Sequence, residues 1–223
     1  SITAENDMKP QPTEPAYGQF NWENADKIAN FCRSNGIKLR GHCLMWHAQI
    51  GKWMYQDEKG NLVSKEKLFQ NMKHHITAIM ERYKDVVYAW DVVNEAISDG
   101  GRPVMGQKPS PYRNSPLYQI AGDEFIKKAF IYAREADPNV LLFYNDYNAA
   151  DPQKRDRIYN MVKSMKEEGV PIDGIGMQGH YNIYGPSMED VDAALTKYST
   201  IVKHIHITEL DIRANEEMGG HLN

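Results

Sequence analysis

Trp90-Asp91-Val92-Val93-Asn94-Glu95-Ala96 runs from apolar residues straight into a carboxylate, and His206-Ile207-Thr208-Glu209-Leu210-Asp211-Ile212 repeats the arrangement. Each reads as a β-strand with an acid at its C-terminal end. Upstream of Trp90, a helix opening near Ser64 carries Leu68, Met72, His75, Ile76, Ile79, Met80 and Tyr83 on one face, which makes His75 a core residue. An extended stretch from Ile37 to Trp46 precedes it. Before that, a helix from Trp22 to Ser34 is ended by Asn35-Gly36, and its apolar face of Ala25, Ile28 and Ala29 includes Cys32.

Downstream, a long loop with Gly100-Gly101 and three prolines leads to a helix from Asp123 to Ala136, stopped by Asp137-Pro138. Leu141 to Asn145 is the next strand. Asp151-Pro152 supplies a cap and a first-turn proline for a helix reaching Glu168. Gly174 to Gln178 is predicted as strand, Ser187 to Ser199 as helix, His204 to Glu209 as strand, and Ser1-Ile2-Thr3 as a strand remnant. Strands alternating with helices specify a parallel sheet covered by helices. No glycine-rich phosphate loop follows any strand, so an open doubly wound sheet lacks support. Polar residues at nearly every strand end favour an α/β TIM (β/α)8 barrel, whose site is assembled at that rim.

At 223 residues and 41% hydrophobic, the chain suits one domain with one core. A net charge of −4 without any basic block gives no reason to expect a nucleic-acid or anionic-membrane partner. No apolar run approaches the ~20 residues that span a bilayer. The start at Ser1 is neither an initiator Met nor a signal peptide. Cys32 and Cys43, with no CxxC pair, exclude a disulfide framework.

Two acids at two strand ends suit hydrolysis of a glycosidic bond, where one carboxyl protonates the leaving oxygen and another attacks the anomeric carbon. Glu95 and Glu209 are the candidates, against a reading of each as a capping or salt-bridged rim residue. Alternation puts Arg40 and His42 on one side of their strand, and Gln178 with His180 on theirs. With Glu209 pointing into the barrel mouth, it sends His204, His206 and Thr208 toward the surrounding helices. The His42 to His47 and His204-Ile-His206 spacings also suit a metal site. Asp211, two residues beyond Glu209, is expected near His180, the pair keeping the nucleophile ionised and oriented. Trp46 and Trp53 each suit a sugar-stacking platform or a core position, and Trp90 suits barrel packing. Glu5, Asn6 and Lys9, just after the first strand, fit sugar hydroxyls or a solvated loop equally well.

Thr3-Ala-Glu-Asn-Asp-Met-Lys9, Arg40-Gly-His-Cys-Leu-Met-Trp-His47, Trp90 to Ala96, Tyr144-Asn-Asp-Tyr147, Gly176-Met-Gln-Gly-His180 and Thr208-Glu-Leu-Asp211 together resemble glycoside hydrolase family 10 xylanases. The resemblance spans essentially the whole chain. It implies Glu95 as general acid/base and Glu209 as nucleophile, following the fourth and seventh barrel strands, in a retaining endo-1,4-β-xylanase. It further implies Asn94, His42, Lys9, Trp46 and Gln178 around the cleaved sugar, Glu5, Asn6 and Gln49 at the next sugar, and Tyr144 as a wall on the leaving-group side. His180 and Asp211 keep their supporting place. The implied partner is xylan or its oligosaccharides, met by a secreted, periplasmic or surface protein without metal or organic cofactor. Family members carry further barrel segments before Ser1 and after Asn223. Residues 1–223 are therefore expected to form one catalytic domain holding about strands 2 to 7, with two open edges. Outside this reading stand a non-catalytic xylan binder and a metal-dependent barrel hydrolase.

Overall fold

The computed structural model describes residues 1–100 and 110–214. Gly101, Pro103 and Pro109 of the expected loop lie outside them. Six strands, β1 (Ile2–Thr3), β2 (Leu39–Trp46), β3 (Val87–Asn94), β4 (Leu141–Asp146), β5 (Gly174–Asn182) and β6 (His204–Arg213), form one sheet in the order of the chain. All five pairings are parallel. The sheet curls until its edges face each other. Arg40 on β2 donates across the interior to His206 on β6 at 2.9 Å, and Thr3, Thr208 and Asp211 line a common cavity. This is the expected barrel, incomplete as anticipated.

The connecting helices are α1 (Pro10–Thr13), α2 (Glu23–Asn35), α3 (Lys65–Tyr83), α4 (Pro116–Ala121), α5 (Glu124–Ala136), α6 (Pro152–Glu167) and α7 (Met188–Ser199). Their limits follow local chemistry. Ser64, Ser115, Asp151 and Ser187 each accept a hydrogen bond from a first-turn amide, and Gly36 closes α2 in the left-handed conformation at φ 62°. The apolar face of α3 is buried, and each such Leu, Ile or Met removed from water is worth about 1.5–3 kcal/mol. Short α1 and α4 have too few residues to show a periodicity.

The apolar core lies between sheet and helices, whereas the barrel interior is polar. Trp90 packs on the helix side, where a Cβ at Gly41 would meet its ring at 2.2 Å. Cys32 and Cys43 are buried free thiols. Burial pushes the Cys43 thiol well above its usual range.

Strict alternation along β6 is broken, which corrects the expected orientations. His206 meets Arg40, and Thr208 donates to Asn145 at 2.7 Å, so both face the interior. The His204 ring lies 6.4 Å from Phe143, whose own ring stacks under the Arg40 guanidinium. Glu209 nonetheless reaches the same cavity, because its φ of 55° and a register shift between Gln178 and His180 turn the chain.

Candidate active site

Glu95 and Glu209 share a cavity of about 700 Å³ at the C-terminal ends of β3 and β6, lined also by Trp46, Tyr147, Gln178 and His180. Glu95 has the same backbone anomaly as Glu209, with φ 58° immediately after β3. A left-handed non-glycine residue costs about 1–2 kcal/mol. That conformation carries Glu95 onto the side of Asn94, which a regular strand would not do.

Three donors hold the Glu95 carboxyl: Trp46 Nε1 at 2.9 Å, Gln178 Nε2 at 3.1 Å and Asn94 Nδ2 at 3.2 Å. Asn94 Oδ1 accepts from Gln178 and from Asn145, each at 3.0 Å. Asn145 Nδ2 also donates to Glu209 Oε1 at 3.0 Å, and its Oδ1 accepts from Thr208. Two buried amides, Asn145 and Asn94, thus link the two acids. Asn145 escaped the sequence reading although it stands in the Tyr144 to Tyr147 motif.

His180 lies between two carboxylates, Nε2 on Glu209 at 3.0 Å and Nδ1 on Asp211 at 2.5 Å. Ionised carboxylates only accept, so both ring nitrogens are placed to donate, an arrangement that favours the imidazolium. Partial burial opposes that charge, but the bonds to Asp211 and Glu209 win and raise the His180 pKa above its ordinary value.

Beneath Glu209, Asp91 accepts from His42 Nδ1 at 2.9 Å and from Arg40 Nη2. Burial works against the Asp91 charge, yet Arg40 and His42 keep its pKa below the usual carboxylate value. His42 therefore carries its proton on Nδ1, and Nε2 faces Glu209 Oε1 at 4.0 Å. His206 accepts from Arg40, and burial together with that cation lowers its pKa.

Lys9, buried, holds Asn6 Oδ1 at 2.8 Å with its ammonium 4.8 Å from the Trp46 ring centroid. Glu5 and Lys9 line a second cavity of about 850 Å³ beside Glu209, continuous with Arg40, His42 and Asp91. Asn6 reaches the site only through Lys9. Gln49 does not join it: the residue is exposed, left-handed at φ 43°, outside both cavities, and tied by its carbonyl to Gln11.

Tyr144 is no wall of the cleft. Its neighbour Asn145 pairs with Asn94 on the interior face, which turns Tyr144 into the core on the helix side, fully buried. Tyr147, three residues on, lines the cavity instead. Trp53 also lies elsewhere, its indole donating to the Glu14 carbonyl at 2.8 Å. His75 is core as expected, bonded to the buried Glu14, a partner no local pattern announced.

The histidines singled out for metal are engaged or separated. Among the described residues, no group of three or more His, Cys, Asp or Glu is arranged to hold a metal ion. Burial and nearby Arg113 lower the His47 pKa. Among the described residues, no helix is long and apolar enough to cross a membrane.

Comparison with known proteins matches residues 1–221 to the model of glycosyl hydrolase family 10. The chain is 59% identical, over its whole length and 31% of the other, to an endo-1,4-beta-xylanase/feruloyl esterase of Xylanibacter ruminicola. It is 45% identical to endo-1,4-beta-xylanase B of Paenibacillus barcinonensis, over 95% of this chain and 62% of that one. A solved structure of a psychrophilic glycoside hydrolase family 10 endo-beta-1,4-xylanase superposes with TM-score 0.93 at 72% identity, covering 98% of this chain and 66% of that one. The chain thus spans between about a third and two thirds of the length of these relatives.

Proposed function

The chain belongs to glycosyl hydrolase family 10, and from that premise we propose that it carries both catalytic carboxyls of an endo-1,4-β-xylanase that retains anomeric configuration. Residues 1–223 would form part of its catalytic domain. The observation that supports this most is the pairing of Glu95 and Glu209 across one cavity, each turned inward by a left-handed backbone and joined through Asn145.

In the proposed reaction, Glu209 attacks the anomeric carbon while Glu95 gives its proton to the departing glycosidic oxygen, leaving a glycosyl ester on Glu209. Glu95 then takes a proton from water, which attacks the same carbon and releases Glu209. His180, charged and held by Asp211, would keep Glu209 ionised and aimed. Asn94, His42, Lys9, Trp46 and Gln178 would surround the cleaved sugar, with Glu5 and Asn6 beyond. The substrate would be the xylan backbone. Xylan is a bulk polymer, so the protein would be secreted, periplasmic or at the cell surface.

Glu95→Gln and Glu209→Gln should each nearly abolish release of reducing ends from xylan by the whole protein. Retained activity in either variant would overturn the assignment. Xylan binding without turnover in the parent protein would select the binding reading instead.

A further inference from the structure

The backbone around Glu95 is held by a ring of groups set behind it, of which Tyr147 also lines the cavity. The Tyr144 hydroxyl accepts from the amides of Ala96 and Ile97, both at 3.0 Å, and donates to Asp146 Oδ2 at 2.5 Å. Asp146 pairs with Lys154 at 2.9 Å, and Lys154 reaches Asp99 at 2.7 Å. Asp99 accepts from the Tyr147 hydroxyl, which accepts from Arg113 Nη2 at 2.8 Å. Arg113 Nε closes the ring on the Glu95 carbonyl at 2.9 Å.

Tyr144, Asp146 and Lys154 are at most 1% exposed. A buried ion pair is weak as a source of stability, because desolvation of both charges opposes their attraction. Its placement therefore calls for another account. The left-handed conformation at Glu95 persists only where surrounding groups over-determine it. The ring does this from both sides, binding the Glu95 carbonyl and the two amides that follow. Burial pushes the Asp146 carboxyl up to about 6 despite Lys154, so Tyr144 is its stabilising donor as well.

We infer that Tyr144, backed by Asp146 and Lys154, is a positioning residue that sets the reach of the Glu95 carboxyl toward the leaving oxygen. This rests on the reading of Glu95 as the proton donor. Removing the hydroxyl orphans two buried amides and leaves Asp146 with Lys154 alone of these partners, and the turn carrying Glu95 shifts to recover partners. Proton donation then suffers first, since a misplacement on the order of 1 Å costs roughly a hundredfold in rate.

The test uses the whole protein and two aryl β-xylobiosides, one with a phenol and one with a 2,4-dinitrophenol leaving group. The second departs without a proton. In Tyr144→Phe, kcat/KM should fall roughly ten- to a hundredfold for the phenyl substrate while staying within about threefold for the dinitrophenyl one. Asp146→Asn, which keeps the shape and one acceptor oxygen, should show the same selectivity more weakly, and it serves if Tyr144→Phe does not fold. Equal loss on both substrates, or no loss, would overturn the positioning role. Glu95→Ala separates the two ideas. Selective loss there without selective loss in Tyr144→Phe refutes positioning alone, whereas equal loss in Glu95→Ala refutes the proton-donor assignment and the inference with it.

Discussion

Replacing Asp91 by alanine tests whether the barrel interior works as a paired electrostatic core. Asp91 is 1% exposed and Arg40 4%, so each charge leans chiefly on the other although both border the second cavity. The substitution removes the acceptor of Arg40 Nη2 and of His42 Nδ1 together. Arg40 would keep only His206 and the face of Phe143, 4.5 Å from its guanidinium carbon, while its Nε already lacks a partner. Breaking one side of a buried pair costs about 3–5 kcal/mol. Orphaning the His42 N–H adds at most about 1–3 kcal/mol, and less in practice because the groups share one network. At roughly 2–4 °C per kcal/mol for a chain of this size, Tm should drop by about 6–20 °C. Asp91→Asn, which still accepts one bond, should lose less. Arg40→Met combined with Asp91→Leu should recover much of the alanine loss, because it removes both charges instead of stranding one. Urea unfolding followed by circular dichroism measures all three. A loss below ~1 kcal/mol in Asp91→Ala, or a double variant weaker than the single, would mean that the pair is solvated and the reasoning wrong.

His180 should titrate above an ordinary histidine when followed by its NMR ring resonances, and Asp211→Asn should bring the midpoint down. The sign follows from a raised folded pKa: its contribution to stability is fully present below the unfolded value and is lost as pH rises through the folded one. A midpoint unmoved by Asp211→Asn would remove that carboxylate from the account. Gly176→Ala should lower activity and cost about 1–3 kcal/mol, because its Cβ would meet Asn145 Oδ1 at 2.3 Å and that amide is engaged at both ends. Parent-like stability and turnover in that variant would show the linking amide to be adaptable.

The elements were legible in the sequence because their signals are local. A capping Ser64 or Asp151, the left-handed stop at Gly36 and the apolar stripe from Leu68 to Tyr83 each lie within a few turns of chain. Helices placed between strands then dictated parallel pairing in chain order, and the strand-end acids stood where a barrel builds its site. Side-chain direction was less legible. Alternation held for Arg40 with His42, yet it misdirected His206 and Thr208, and nothing in the composition of the Tyr144 to Tyr147 stretch says which tyrosine meets the cavity.

Only the tertiary structure decided those matters, since a bulge or a left-handed residue reverses every facing beyond it and is fixed by contacts remote in the chain. Glu95 turns inward because Tyr144, Arg113 and Asn145, from 18 to 50 residues away, hold its backbone. The sequence by itself determined which acids stand at the strand ends. Folding determined that both face one cavity, because the backbone geometry that turns them is stable only inside the hydrogen-bond network that the curled sheet assembles.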